Sequence, residues 1–146
     1  MLGDRPAGVS RCRLDSPRCH ADWQAYHGIR RRVFHLARPD EPINSDCHPL
    51  VLFLGDKPIG AIQVDELKNQ TAALRLVAID PTFQGKGHGR VMLDQAEQFV
   101  RDLGCMKAVV YSTPEAAGFY QTAGYEEEDW DDICIGGIVQ MLKKLA

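Results

Sequence analysis

The sequence predicts an α/β domain built around a mixed β-sheet. Apolar runs of strand character alternate with segments whose apolar residues recur every three or four positions. One run, CMKAVVY at 105–111, lacks polar alternation, the pattern of a strand covered on both faces and parallel to its predecessor across a helix. A length of 146 residues, 45% of them apolar and 25% charged, suits a single core over 1–146 and argues against disorder.

Each element has its own warrant. The first fifteen or so residues are weakly patterned and allow at most a short strand around 9–14. Over 19–37, Trp23, Tyr26, Ile29, Val33, Phe34 and Ala37 form a helical stripe, with Arg30, Arg31 and Arg32 partly off it. PDEPINSD at 39–46 ends any helix with two prolines and cap-type residues. LVLFL and IGAIQV flank the turn GDKP and read as a hairpin. After the turn KNQ, AALRLVAI supplies a third strand, which Pro81 closes. From Gly87 the period changes: Met92, Ala96, Phe99, Val100 and Leu103 share one helix face, and Gly104 stops the helix. STPEAAGFYQTAG is a short helix, with Ser112 or Thr113 to cap it, Pro114 in its first turn and Gly124 to end it. Strands near Tyr125 and at 138–142 complete the chain.

Composition narrows the function. A net charge of -3 gives no electrostatic reason to bind a polyanion, and Arg30 to Arg32 lack interleaved aromatics, so no nucleic-acid role is expected. The five cysteines, Cys12, Cys19, Cys47, Cys105 and Cys134, are odd in number and form no CxxC pair, so neither a disulfide frame nor a zinc site is expected. Cys19-His20 and Cys47-His48 lack the spacer that lets two ligands converge on one ion. No signal peptide opens the chain and no apolar run nears the ~20 residues of a membrane span, which points to the cytoplasm and away from membranes.

The densest signal is QGKGHGR at 84–90, directly after the third strand. A strand that runs through a glycine-rich turn into a helix leaves the first-turn N–H groups unpaired at the positive end of the helix dipole, which suits an anion. Glycine permits positive φ and close approach of a phosphate to the main chain, and Lys86 and Arg90 add charge. The same residues also suit a plain tight turn. They match neither the Walker loop nor the GxGxxG fingerprint.

QGKGHG after LRLVAIDP resembles the Q/RxxGxG/A motif of the GCN5-related N-acetyltransferases, and AAGFYQTAGY resembles the AxxFYxxxGF segment that follows it in that family. The likeness spans residues 50–142, more weakly from Trp23. It implies a splayed mixed sheet, acetyl-coenzyme A between the two central parallel strands, and an amine acceptor. The pyrophosphate would rest on the amides of Gln84, Gly85, Lys86, Gly87, His88 and Gly89, with Arg90 beside them. The main chain of Val77, Ala78 and Ile79 would pair with the pantetheine arm, and one of these amides would polarise the thioester carbonyl. Thr113, in place of the family's asparagine, and Ala116 and Phe119 would border the coenzyme. Dimers are common in the family, so a homodimer is among the states the resemblance allows.

By that resemblance Tyr120 is the general acid that protonates the leaving thiolate. At reference values a phenol protonating a thiolate is uphill by about 2 kcal/mol, so the site must shift one pKa or Tyr120 only hydrogen-bonds the sulfur. The strand glutamate that serves some relatives as base is Ala73 here. Asp65, Glu66 and Glu115 remain candidates by location, with ordered water as the alternative. His88 is expected to be a solvated loop residue. The acidic run EEEDWDD at 126–132 reads either as a solvated loop or as a border of the acceptor pocket that attracts a cationic amine, with Trp130 as an exposed indole over the substrate. The function expected is an acetyl-CoA-dependent N-acetyltransferase; the alternative is a catalytically silent module that binds acyl-CoA.

Overall fold

A computed structural model describes residues 11–34, 45–132 and 136–145. Its centre is a seven-stranded sheet in the order β1-β2-β3-β4-β5-β7-β6. The strands are β1 (Cys12–Asp15), β2 (Cys47–Leu54), β3 (Lys57–Glu66), β4 (Thr71–Ile79), β5 (Lys107–Ser112), β6 (Glu126–Glu127) and β7 (Val139–Lys144). The helices are α1 (His20–Phe34), α2 (His88–Asp102) and α3 (Ala117–Thr122). All neighbouring strands are antiparallel except β4 and β5, joined through α2. The element order and the parallel pair agree with the sequence reading.

The period-2 alternation of β2 feeds two cores. Leu50 and Leu52 pack with Met92, Leu93, Ala96 and Val100 of α2, whereas Val51 and Phe53 pack with Tyr26 and Ile29 of α1. The helices therefore cover opposite faces. Each fully buried Leu, Val or Met contributes about 1.5–3 kcal/mol relative to exposure.

Several boundaries differ from the sequence reading. The first strand lies at Cys12–Asp15 rather than 9–14, with residues 1–10 outside the described part. Gln95 of α2 completes this edge strand: its side chain accepts from Leu14 N at 2.7 Å and donates to Cys12 O at 2.9 Å. Helix α1 ends at Phe34; residues 35–37 and most of the proline-rich break lie outside the described residues. Helix α3 begins at Ala117, after a turn in which Thr113 O and Oγ1 accept from Ala116 N at 3.1 and 3.3 Å. The helix is instead capped by Ala116, without a side-chain hydrogen bond, so neither expected cap serves it: Thr113 closes only the preceding turn, and Ser112 is buried in β5. Gly104 (φ +90) and Gly124 (φ +100) end α2 and α3 in the left-handed conformation, followed by Cys105 N to Val100 O and Tyr125 N to Tyr120 O hydrogen bonds.

The parallel pair defines the site. β4 and β5 are in register from Thr71↔Lys107 to Leu74↔Val110 and then part, although both strands continue. Just past that point Leu76 has φ +53 and the β3–β4 register shifts between Ala61 and Gln63, the signature of a bulge. Arg75, Ala78 and Ile79 keep β3 partners on one side, and among the described residues no strand pairs with 75–79 on the other.

A buried polar cluster ties α2 to the end of the sheet. Glu97, 2% exposed, accepts from Tyr125 Oη and from Lys143 Nζ, each at 2.8 Å. Lys143 also donates to Ala123 O at 2.8 Å. Lys143→Met strands the Glu97 carboxylate in the core and should cost about 3 kcal/mol in chemical denaturation, with much of that recovered when Glu97→Gln is added. Equal destabilisation by the single and double variants would contradict the pairing.

Candidate active site

Where β4 ends, Asp80 starts a tight turn over Pro81–Phe83. Its carboxylate accepts from Thr82 N at 3.1 Å and from Arg32 Nη2 of α1 at 2.6 Å. Burial opposes ionisation there, but the Arg32 guanidinium and the Thr82 amide hold the Asp80 carboxyl below its usual range. The Gln84 side chain folds back and donates to Ile79 O at 2.9 Å, pinning the loop to the strand end. The Gln84 amide turns to Pro81 O at 3.4 Å, so the presented set starts at Gly85. Gly85 (φ +77) and Gly87 (φ +84) take the left-handed conformation that turns successive amides to one side, and Gly87 caps α2. Among the described residues, no acceptor engages the backbone N–H groups of residues 85–90.

His88 departs from the expectation of a solvated loop residue. It is the first residue of α2 and only 5% exposed. Helical geometry turns its ring into the sheet edge, with Nδ1 at 3.7 Å from Cys12 Sγ and the ring edge-on to Phe83. Burial pushes the Cys12 thiol up. Lys86 and Arg90 are exposed beside the amides, Arg90 pairing with Asp94 at 3.1 Å.

The second motif meets the first. A Cβ built on Gly89 would lie 3.6 Å from the Phe119 ring and 3.8 Å from Ile79. Phe119, 38% exposed, stands edge-on to Tyr120, and Tyr120 to Tyr125, at centroid distances of 5.2 and 5.6 Å. The structure thus gathers Ile79, the glycine loop, Phe119 and Tyr120 on the α2 side of the fork, with the open edge of Val77 and Ala78 leading into it and Ala116 half-buried one turn before Tyr120. Tyr120 is 7% exposed, and burial pushes its pKa up to about 12. No hydrogen bond among the described residues engages its hydroxyl.

On the opposite face the fork opens over residues that the sequence reading did not single out. Leu74 and Val110 belong to the α2 core, so the next residues, Arg75 and Tyr111, project the other way. Arg75 Nε lies 2.7 Å from Asp65 Oδ2 and its guanidinium 5.7 Å from the Tyr111 ring centroid. Tyr111 donates to Asp131, and burial followed by that carboxylate pushes its pKa up to about 12. Trp130 is half-buried rather than exposed: it packs on Tyr111 at 4.6 Å and donates to Val110 O at 3.1 Å. Gln140 of β7 pins this segment by accepting from the Trp130 and Asp131 amides at 2.9 and 2.8 Å. The acidic run is therefore not a uniform solvated loop; Glu126 and Glu127 form β6, and Glu128, Trp130 and Asp131 line a cleft of about 910 Å³ together with Arg75, Lys107 and Val109.

Two of the three candidate bases have partners. Asp65 is held by Arg75 and Gln63, Glu66 lies 2.7 Å from His48 Nε2, and Glu115 is exposed. Ala73, at the position of the family's glutamate, is fully buried. A signal for Arg75 did exist, as a lone cation in an apolar strand; Tyr111 read simply as the end of one.

A family model described as the acetyltransferase (GNAT) family matches residues 11–125. Bacillus subtilis YyaT is 25% identical over 107 residues, 67% of this chain and 72% of that protein. The PaiA N-acetyltransferase of Thermoplasma acidophilum, solved in complex with coenzyme A, superposes with a TM-score of 0.70 and 19% identity over 91% of this chain and 98% of that one. A chimera of the Vibrio cholerae spermidine N-acetyltransferase SpeG gives a TM-score of 0.74 and 18% identity over 92% of this chain and 96% of that one.

Burial holds Tyr111, Tyr120 and Tyr125 protonated, so three of the four tyrosines should resist alkaline ionisation. A raised folded pKa stabilises the fold below the ordinary value near ~10 and loses that contribution as pH climbs through the folded value. Absorbance at 295 nm should therefore rise late and together with unfolding above pH ~11; full ionisation of the folded protein near pH ~10 would contradict the burial.

Proposed function

Because this chain belongs to the GNAT acetyltransferase family, we propose that it is a cytoplasmic N-acetyltransferase that moves the acetyl group of acetyl-coenzyme A to a primary amine, with Tyr120 as the acid. The observation that carries this is the row of acceptor-free amides at residues 85–90 beside an unpaired strand edge that leads to Tyr120. The amides and the helix dipole suit the diphosphate of the coenzyme. The open edge of residues 75–79 suits the amide groups of its pantetheine arm, as an added strand would. The described cysteines, Cys12, Cys19, Cys47 and Cys105, are all unbridged, in keeping with a reducing compartment.

In the reaction the amine nitrogen bonds to the thioester carbonyl carbon, the C–S bond breaks, and the thiolate takes up a proton. A backbone amide of the open edge stabilises the oxyanion. Tyr120 stands on the donor side, but with its pKa at about 12 full proton transfer to a thiolate near ~8.5 is uphill by about 5 kcal/mol. Its chief contribution is a hydrogen bond that strengthens as charge gathers on the sulfur, with the proton following as the bond breaks. No free carboxylate stands at the family's strand position, so the acceptor loses its ammonium proton to water. Glu128 and Asp131 at the acceptor cleft favour an approaching ammonium.

A thiol-release assay over a panel of amines tests the reading. Tyr120→Phe should lower kcat by ~10²–10⁴ while coenzyme A still binds; binding without release for any amine would favour the silent acyl-CoA module. Gly87→Ala meets no steric obstacle but forces a side chain into φ +84, at ~1–2 kcal/mol. Coenzyme A affinity by calorimetry should fall by about tenfold, and an unchanged affinity would contradict amide binding of the diphosphate.

A further inference from the structure

We propose that the acceptor is an amine that also carries a carboxylate, and that Arg75 is the residue that holds this carboxylate. The inference rests on the acetyltransferase reading above and names its substrate class.

The fork fixes where Arg75 stands. It is the first residue after the last position of β4 paired with β5, and it lines the cleft on the face opposite α2. Its side chain is 36% exposed, and its Nε lies 2.7 Å from Asp65 Oδ2, an ion pair without the alignment of a hydrogen bond. Among the described residues, no hydrogen bond engages its Nη groups. Arginine anchored through Nε still presents the paired Nη edge, whose fork matches the two oxygens of a carboxylate.

The rest of the lining selects among ligands. Lys68 and Lys107 line the same cleft as Arg75, together with the acids Asp46, Glu66, Glu128 and Asp131. A diamine or polyamine would place an ammonium against Arg75 and the two lysines, a like-charge penalty that a carboxylate removes. A phosphate ester would bring a second negative charge among those acids, and Asp65 already offsets part of the Arg75 charge. A zwitterion matches both signs of charge in the lining, its ammonium taken by the acids and its carboxylate by the guanidinium.

Matched acceptors test this directly: L-lysine against cadaverine, L-phenylalanine against phenethylamine, and glycylglycine against its C-terminal amide. Thiol release at saturating acetyl-coenzyme A gives kcat/KM for each member, and calorimetry follows coenzyme A binding. At least one pair should favour the carboxylate member tenfold or more. That ratio should collapse toward unity in R75Q and fall several-fold in R75K, which keeps the charge but loses the fork, with coenzyme A binding retained as the check on folding. No preference in any pair, or a preference that survives in a folded R75Q, overturns the proposal. Coenzyme A binding with no carboxylate member accepted rejects the assignment and leaves acetyl transfer to other amines standing. If wild-type protein does not bind coenzyme A, the failure belongs to the acetyltransferase reading beneath it.

Discussion

The parallel pairing of β4 with β5 stops at Leu74 and Val110, while both strands run on. A parallel pair buried between two helices would ordinarily continue, because unpaired backbone groups are costly in a core. Leu76, with φ +53, is where β4 departs, and a non-glycine residue in that region costs about 1–2 kcal/mol. The bulge separates the strand ends and leaves one edge of β4 without a strand partner among the described residues. In the proposed function, donor and acceptor meet there from opposite faces, one beside α2 and Tyr120, the other beside Arg75 and Tyr111.

The surroundings keep that gap in shape. Arg32 of α1 reaches Asp80 at the end of β4, and Gln84 reaches Ile79 O, so both the helix on one face and the loop on the other are fastened to the same strand terminus. The Glu97–Tyr125–Lys143 cluster fastens α2 to the far side of the sheet and supports the ring against which Tyr120 packs. These contacts are polar and directional, which suits a site that must hold backbone groups in a set geometry rather than merely fill space. Hydrophobic burial on the two faces supplies the stability; the polar contacts supply the aim.

Local patterns carried much of this information. The glycines at 85 and 87, the stripe of α2 and the second motif each depend on residues within a few positions of one another, so one sequence suffices to read them. The point at which β4 and β5 part depends on a bulge opposite β3, a relation between distant segments, and the splay entered only through resemblance to a family. His88 was misread because its position in the loop motif says nothing about the ring, which β1 buries. Trp130 was misread because its partners, Val110 O and the Tyr111 ring, lie on another strand. Asp65 and Glu66 looked like free bases until Arg75 and His48 stood beside them.

The central claim is that the amides of residues 85–90 and the unpaired edge of β4 together receive the coenzyme. Amide-resolved NMR during titration with coenzyme A measures this most directly. The account predicts saturating shifts concentrated at residues 85–90 and 75–79, with the core of α1 little changed. Binding that leaves those amides unmoved, or shifts centred on another part of the sheet, would contradict it.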